Sequence, residues 1–162
     1  MLRALLLALL TALPARACET ALLLAIDVSG SIDAADYRLQ ADGLATALTD
    51  PAVTEALVTG QVALAVLQWS GAGQQELTLP WQRMLDESAV TAFAARAAAM
   101  PRAFRGSDTA VGEAITAALA QFAAVPDCRR QVIDISGDGQ ENAGFTDARA
   151  RAAAVVQGTM IN

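Results

Sequence analysis

Asp27, Ser29 and Ser31 alternate through Asp27-Val28-Ser29-Gly30-Ser31, placing one carboxylate and two hydroxyls within five residues. Hard oxygen atoms gathered in a short, glycine-containing turn suit a small hard cation such as Mg²⁺. Two later segments carry the same chemistry. Thr109 lies within Gly106-Ser107-Asp108-Thr109-Ala110-Val111-Gly112, and Asp138 lies within Ser136-Gly137-Asp138-Gly139. Taken singly, each also reads as a capped turn with no ligand. The chain has no histidine, and all eleven of its basic residues are arginine. A Ser-His-Asp or Cys-His mechanism is therefore excluded, and an ordinary zinc site has only Cys18 and Cys128 to draw on.

The elements that must position these oxygens alternate between strand and helix. Residues 21–26 (ALLLAI) form an unbroken apolar run, the pattern of a strand buried on both faces, and the 27–31 turn follows it directly. Asp33 reads as the N-cap of a helix with Tyr37, Ala41, Leu44 and Leu48 at helical spacing, ending before Asp50-Pro51. A short helical turn over 53–58 precedes a second buried strand, 61–69 (QVALAVLQW). The half-exposed alternation of 75–79 after Ser70-Gly71-Ala72-Gly73 predicts an antiparallel edge hairpin. Trp69 and Trp81 read as packing residues. Asp86 opens a helix that Pro101 closes, and Thr109 opens the next, with Val111, Ile115, Leu119 and Phe122 on its apolar face. Residues 131–136 form a further strand, and Thr146 caps a last helix through Val156.

This order predicts a three-layer, doubly wound α/β fold with a mostly parallel sheet. In such sheets ligands bind beyond the carboxyl ends of the strands, where the winding reverses. Asp27 ends the first strand and Asp138 lies just past a later one. If the two strands are neighbours, the carboxylates stand side by side at that point. Asp134 interrupts an apolar strand, so the expectation for it is burial with a backbone or arginine partner (Arg129 or Arg130) rather than metal ligation.

At 162 residues, 54% apolar and 17% charged, the chain reads as one globular domain. A formal charge of -6 without a basic patch argues against nucleic acid as a partner. Residues 1–17 have the layout of a signal peptide: Arg3 in a short start, an apolar stretch over 4–13, and Ala15-Arg16-Ala17 as the cleavage pattern. The apolar stretch is shorter than the roughly 20 residues of a membrane span. The domain expected after cleavage is 18–162, without a membrane span, in the periplasm or outside the cell. A lipoprotein with Cys18 acylated is the competing reading, weakened by Arg16 and by the absence of leucine at position 15.

The three oxygen-bearing segments together resemble the metal-ion-dependent adhesion site of von Willebrand factor A domains, in the family's order. The likeness runs from about Ala21 to the C-terminus. The phrases LAIDVSGSID, VLQWSG, RRQVIDISGDG and GTMIN are most similar to a bacterial exported branch with no assigned function. The resemblance implies Ser29, Ser31 and Thr109 as metal-contacting hydroxyls, with Asp27 and Asp138 binding directly or through water. It implies Mg²⁺, with Mn²⁺ or Ca²⁺ as alternatives, and a free coordination position that the acidic side chain of a partner protein completes. The family fold continues with at least one more strand and helix, so on this resemblance the chain is either a fragment, which would leave the 131–136 strand with an uncovered apolar edge, or an unusually short domain.

Three functions compete on this reading. A non-enzymatic, metal-dependent binding module leads, because neither histidine nor lysine is available as base or nucleophile. A Mg²⁺-dependent phosphohydrolase with Asp27 as nucleophile would normally carry an aspartate two residues on, where Ser29 stands, and a lysine near the phosphate. A structural envelope domain with a vestigial site is the third. Cys18 lies nine residues before Asp27, and Cys128 lies ten before Asp138. Adjacent parallel strands would therefore bring both cysteines to the opposite end of the sheet, within reach of a disulfide. Unpaired thiols, or a lipidated Cys18 with Cys128 buried, are the alternatives.

Overall fold

A computed structural model describes residues 18–106, 108–137 and 140–162. The 1–17 leader expected from the sequence lies outside them. The sheet has five strands in the order β3-β2-β1-β4-β5: β1 Thr20–Asp27, β2 Ala63–Trp69, β3 Gln75–Arg83, β4 Arg130–Ser136 and β5 Met160–Ile161. β1 pairs in parallel with both β2 and β4, while β3 returns antiparallel along the β2 edge, as the hairpin pattern predicts. From β1 the chain winds first to one side and then to the other, so the winding reverses at the β1–β4 pair.

Among the described residues, five α-helices cover the sheet: α1 Ala34–Leu48, α2 Pro51–Thr59, α3 Glu87–Ala99, α4 Val111–Gln121 and α5 Asp147–Gln157. Strand residues alternate between the two faces. Leu23, Ala25 and Ile133 join Ile115, Leu119 and Phe122 beneath α4 and α5. Ile26, Leu64 and Val66 join Tyr37, Val90 and Phe93 beneath α1 to α3. All seven residues of β2 are buried, which matches its continuous apolar pattern. Trp69 is 1% exposed, and Trp81 packs on Phe122 at 5.5 Å while its Nε1 donates to the Gln121 carbonyl. Both tryptophans are packing residues.

Four local expectations change. The helical turn over 53–58 is the nine-residue α2, started by Pro51 and capped by the Asp50 carboxylate on the amides of Ala52 and Val53. α4 begins at Val111 rather than Thr109, and no side chain caps it directly at Ala110. Thr146 occupies the N-cap position of α5 without a side-chain cap bond. Asp134 is exposed, not buried, and the arginines expected to pair with it, Arg129 and Arg130, pair with Glu19 instead. The cause is alternation along β4. Ile133 faces the α4–α5 core, whereas Asp134 faces the other layer, where an opening of about 250 Å³ remains between it, Leu24, Ile26, Gln40 and Leu44.

Cys18 and Cys128 form a disulfide with Cα atoms 4.3 Å apart. Register explains it: Thr20 pairs with Arg130, so residues two earlier on each chain meet at the same level. The edge of β4, expected to be uncovered if the chain is a fragment, is instead paired with β5 at Val132 and Ile133, and the Ile135 amide donates to the Asn162 carbonyl.

Candidate metal centre

The 27–31 turn starts where β1 ends, at the reversal point. Asp27 is 1% exposed, and its Oδ1 accepts from the Ser29 amide at 2.7 Å, folding the turn back over its own carboxylate. Ser29 is equally buried, and its Oγ lies 3.4 Å from the Oγ of exposed Ser31. Asp33 then caps α1 through the amides of Ala35 and Asp36. Those bonds, that to Asp36 first, hold its carboxyl below the usual range.

On β4, Ile26 is level with Ser136, which sets Gly137 beside Asp27. A Cβ on Gly137 would sit 3.1 Å from Asp27 Oδ2 and 3.2 Å from the Trp69 ring. Glycine at this position lets the β4 backbone lie directly against the Asp27 carboxylate. Asp138, the predicted fifth residue of the site, lies outside the described residues, as does Ser107.

Thr109 is 5% exposed and reaches the same end of the sheet from the other direction. Residues 108–110 are tied to the end of β2: the Ala110 amide donates to the Ser70 carbonyl at 2.9 Å, and Ser70 Oγ donates to the Asp108 carbonyl at 3.1 Å. They are tied equally to the loop after β4. The Thr109 amide donates to Asn142 Oδ1 at 2.7 Å, and the Thr109 carbonyl accepts from the amides of Asn142 and Ala143. Since β1 lies between β2 and β4, this segment spans the strand ends that flank Asp27.

Two supports hold these loops in place. Gln68, fully buried in β2, uses its whole amide to hold residues 100–103. Its Nε2 donates to Tyr37 Oη and the Pro101 carbonyl, while its Oε1 accepts from the Ala103 amide. Arg102, fixed by that latch, reaches back to the carbonyls of Val28 and Ser29 at 2.8–3.2 Å and braces the turn from outside. A glutamine inside an otherwise apolar strand was the available signal, because a buried amide must find partners. Glu141 is the other support. Its carboxylate accepts from the amides of Gly112, Thr146 and Asp147, tying the starts of α4 and α5 together. Burial alone would raise its carboxyl, but the three amides outweigh that and hold it low. Gly112 makes the junction close: a Cβ there would lie 2.3 Å from the Thr146 carbonyl carbon.

The donor set is hydroxyl-rich, and no cluster of three or more His, Cys, Asp or Glu side chains forms among the described residues. Adjacent oxygens at right angles on one ion stand roughly 2.8–3.0 Å apart at the 2.0–2.1 Å bonds of Mg²⁺ and roughly 3.3–3.7 Å apart at the 2.3–2.6 Å bonds of Ca²⁺. The 3.4 Å between the Ser29 and Ser31 hydroxyls falls within the second range and a few tenths of an ångström beyond the first. The residues present fit a hard cation.

Sheet order, helix placement and switch point are those of a von Willebrand factor A-like fold. The chain belongs to the family described as protein of unknown function (DUF1194), which matches residues 17–162. Among solved structures, similar folds occur in proximal thread matrix protein 1 of the mussel byssus, in a form with a zinc-occupied MIDAS motif, at TM-score 0.67 and 15% identity over 90% of this chain and 37% of that one. A von Willebrand factor type A protein from Catenulispora acidiphila follows at TM-score 0.63 and 21% identity, over 88% and 32%. The pilus adhesin SpaC of Lactobacillus rhamnosus GG matches at TM-score 0.54 and 14% identity, over 76% and 16%. The chain thus spans well under half the length of these solved chains. No curated protein matches it.

Proposed function

We propose that this protein is an exported, non-enzymatic binding module that holds Mg²⁺ and captures an acidic side chain of a partner protein. Asp27, Ser29, Ser31, Thr109 and Asp138 hold the ion, with Mn²⁺ or Ca²⁺ as substitutes. The observation that carries the reading is the pair of hydroxyls 3.4 Å apart beside the buried Asp27 carboxylate, at the winding reversal of the sheet. Hydroxyl ligands neutralise little of the ion's charge and leave it receptive to an incoming carboxylate. The zinc-occupied MIDAS motif of the byssus protein supports a divalent ion in a fold of this kind. Absence of lysine and histidine from the chain argues for capture rather than catalysis. Export through a cleaved 1–17 leader, to the periplasm or beyond, is supported by the Cys18–Cys128 disulfide, which persists in oxidising compartments.

Calorimetric titration of the folded protein with Mg²⁺ tests the ion site. Binding is expected, with about 2.7 kcal/mol of added stability at a hundred times the dissociation constant. Asp27→Ala should abolish both effects in a chain that still folds. Absence of Mg²⁺ and Mn²⁺ binding by a folded sample would show the reading to be wrong.

A further inference from the structure

A cleft of about 590 Å³ opens beside the 27–31 turn, between the start of α1 and residues 99–105. Arg38, Arg102 and Arg105 line it. In a chain with 11 basic against 17 acidic residues, three guanidinium groups in one cleft run against the overall charge. Arg38 uses Nη2 on Asp42 and on the Ala98 carbonyl. Arg102 uses Nε and Nη2 on the turn carbonyls, and its Nη1 makes no hydrogen bond among the described residues. Arg105 is exposed and has neither hydrogen bond nor ion pair among the described residues. The opposing charge on the cleft wall is Asp33, whose Oδ1 already accepts from the amides of Ala35 and Asp36. Positive charge is therefore in excess there, with donors to spare.

We propose that this cleft is a second acidic subsite: a partner segment that places one carboxylate on the ion at the 27–31 turn sets another aspartate or glutamate against Arg102 and Arg105. The inference rests on the ion reading above and adds a requirement to it, that the partner carry two acidic residues close together. The two subsites share a wall. Gly30 lines the cleft, and its neighbours Ser29 and Ser31 belong to the ion site. Arg102 holds the backbone of that turn with Nε and Nη2, keeps its Nη1 donors, and lines the cleft. A planar guanidinium matches a carboxylate through paired N–H donors, which makes arginine better suited to this task than lysine.

The probes are acetylated, amidated glycine-serine peptides carrying one aspartate and, one to three residues further on, either aspartate or asparagine. They are titrated into the full chain with saturating Mg²⁺, and again with chelator. At one spacing at least, the two-aspartate peptide should bind roughly two- to fivefold tighter than its asparagine partner. Arg105→Gln should remove that ratio, whereas Arg129→Gln, which deletes the same charge at the opposite end of the sheet, should keep it. Equal affinities in the wild type, or a ratio that survives Arg105→Gln, overturns the subsite. In that case Mg²⁺-dependent binding of the single-aspartate peptide would leave the ion reading intact. A ratio that needs Arg105 but persists in chelator supports the cleft and overturns carboxylate capture by the ion. No binding of any peptide overturns both.

Discussion

The two ends of the β1–β4 pair are fastened by different means. At the amino end the fastening is covalent, with Cys18 bonded to Cys128 and the amides of Arg129 and Arg130 donating to the carbonyls of Cys18 and Glu19. At the carboxyl end, among the described residues, polar side chains fasten loops to one another. Gln68 holds residues 100–103, Arg102 holds the 27–31 turn, Asn142 holds Thr109, and Glu141 holds the starts of α4 and α5. A disulfide fixes two strands but offers nothing to a ligand. Side chains that bind backbone groups fix these loops through bonds that do not involve the hydroxyls of Ser29 and Ser31. The site end is held in a way that is compatible with being a site.

The comparison breaks first at the disulfide, where the largest effect is expected. Its sequence separation is 110 residues. The chain-entropy model assigns a bridge of that length roughly 4–5 kcal/mol. Denaturant titration of Cys18→Ser/Cys128→Ser should show a loss approaching that size. The ion pairs of Glu19 with Arg129 and Arg130 at the same end are solvent-exposed and should contribute under about 1 kcal/mol each. If the double variant loses less than the ion pairs supply, the amino end is held by something other than the bond.

Gln68 tests the other end. Gln68→Leu keeps the volume but strips partners from the Ala103 amide, the Pro101 carbonyl and the Tyr37 hydroxyl, which still donates to the Met100 carbonyl. A buried polar group left without a partner costs roughly 1–3 kcal/mol. Pro101 is exposed and Ala103 only half-buried, so water replaces part of what is lost, and a total near the lower end, about 2–3 kcal/mol, is expected. Because Arg102 then loses its anchor, affinity for Mg²⁺ should fall as well. A neutral or stabilising Gln68→Leu, measured by urea denaturation, would show that the latch is dispensable.

The amino end of this comparison was more legible in the sequence than the carboxyl end. Strand β1 and the Cys18–Cys128 pairing follow from local pattern plus one assumption, that β1 and β4 are neighbours. Register then did the rest. The candidate ligands were proposed because three oxygen-bearing segments recur at strand ends in an order that resembles a known family, since each one alone also reads as an ordinary capped turn. The Gln68 and Arg102 supports were not legible, because each acts across a long stretch of chain: Gln68 on residues 101 and 103, Arg102 on 28 and 29. Asp134 was misjudged for a related reason. An apolar strand was taken to be covered on both faces, and the face that Asp134 occupies is partly open. α2 was underestimated although Asp50-Pro51 is a strong helix-start signal; its shortness hid the periodicity.

The smallest expected effect sharpens the comparison through pH. Glu141 holds its proton less tightly in the folded chain than the 4.5 typical of a free carboxyl. Burial opposes this, and the amides of Gly112, Asp147 and Thr146 overcome it. A carboxyl with a depressed folded value contributes stability above its unfolded value and loses it as pH falls through the folded one. Glu141 is half-buried, so solvent screens the interaction, and a charge at a helix start is worth roughly 0.3–1 kcal/mol. Glu141→Gln should therefore cost about that much at pH 7, while the gap between wild type and variant closes as pH drops below the ordinary carboxyl range. Glutamine can still accept one amide, so the variant should fold, which keeps the comparison at each pH meaningful. The disulfide contribution, in contrast, should stay constant over the same range. Denaturation series from pH 3 to 7 on wild type, Glu141→Gln and the double cysteine variant measure both. A gap for Glu141→Gln that does not narrow on acidification would mean that the junction of α4 and α5 is held by shape, with Gly112 seated against Thr146, and not by the carboxylate charge.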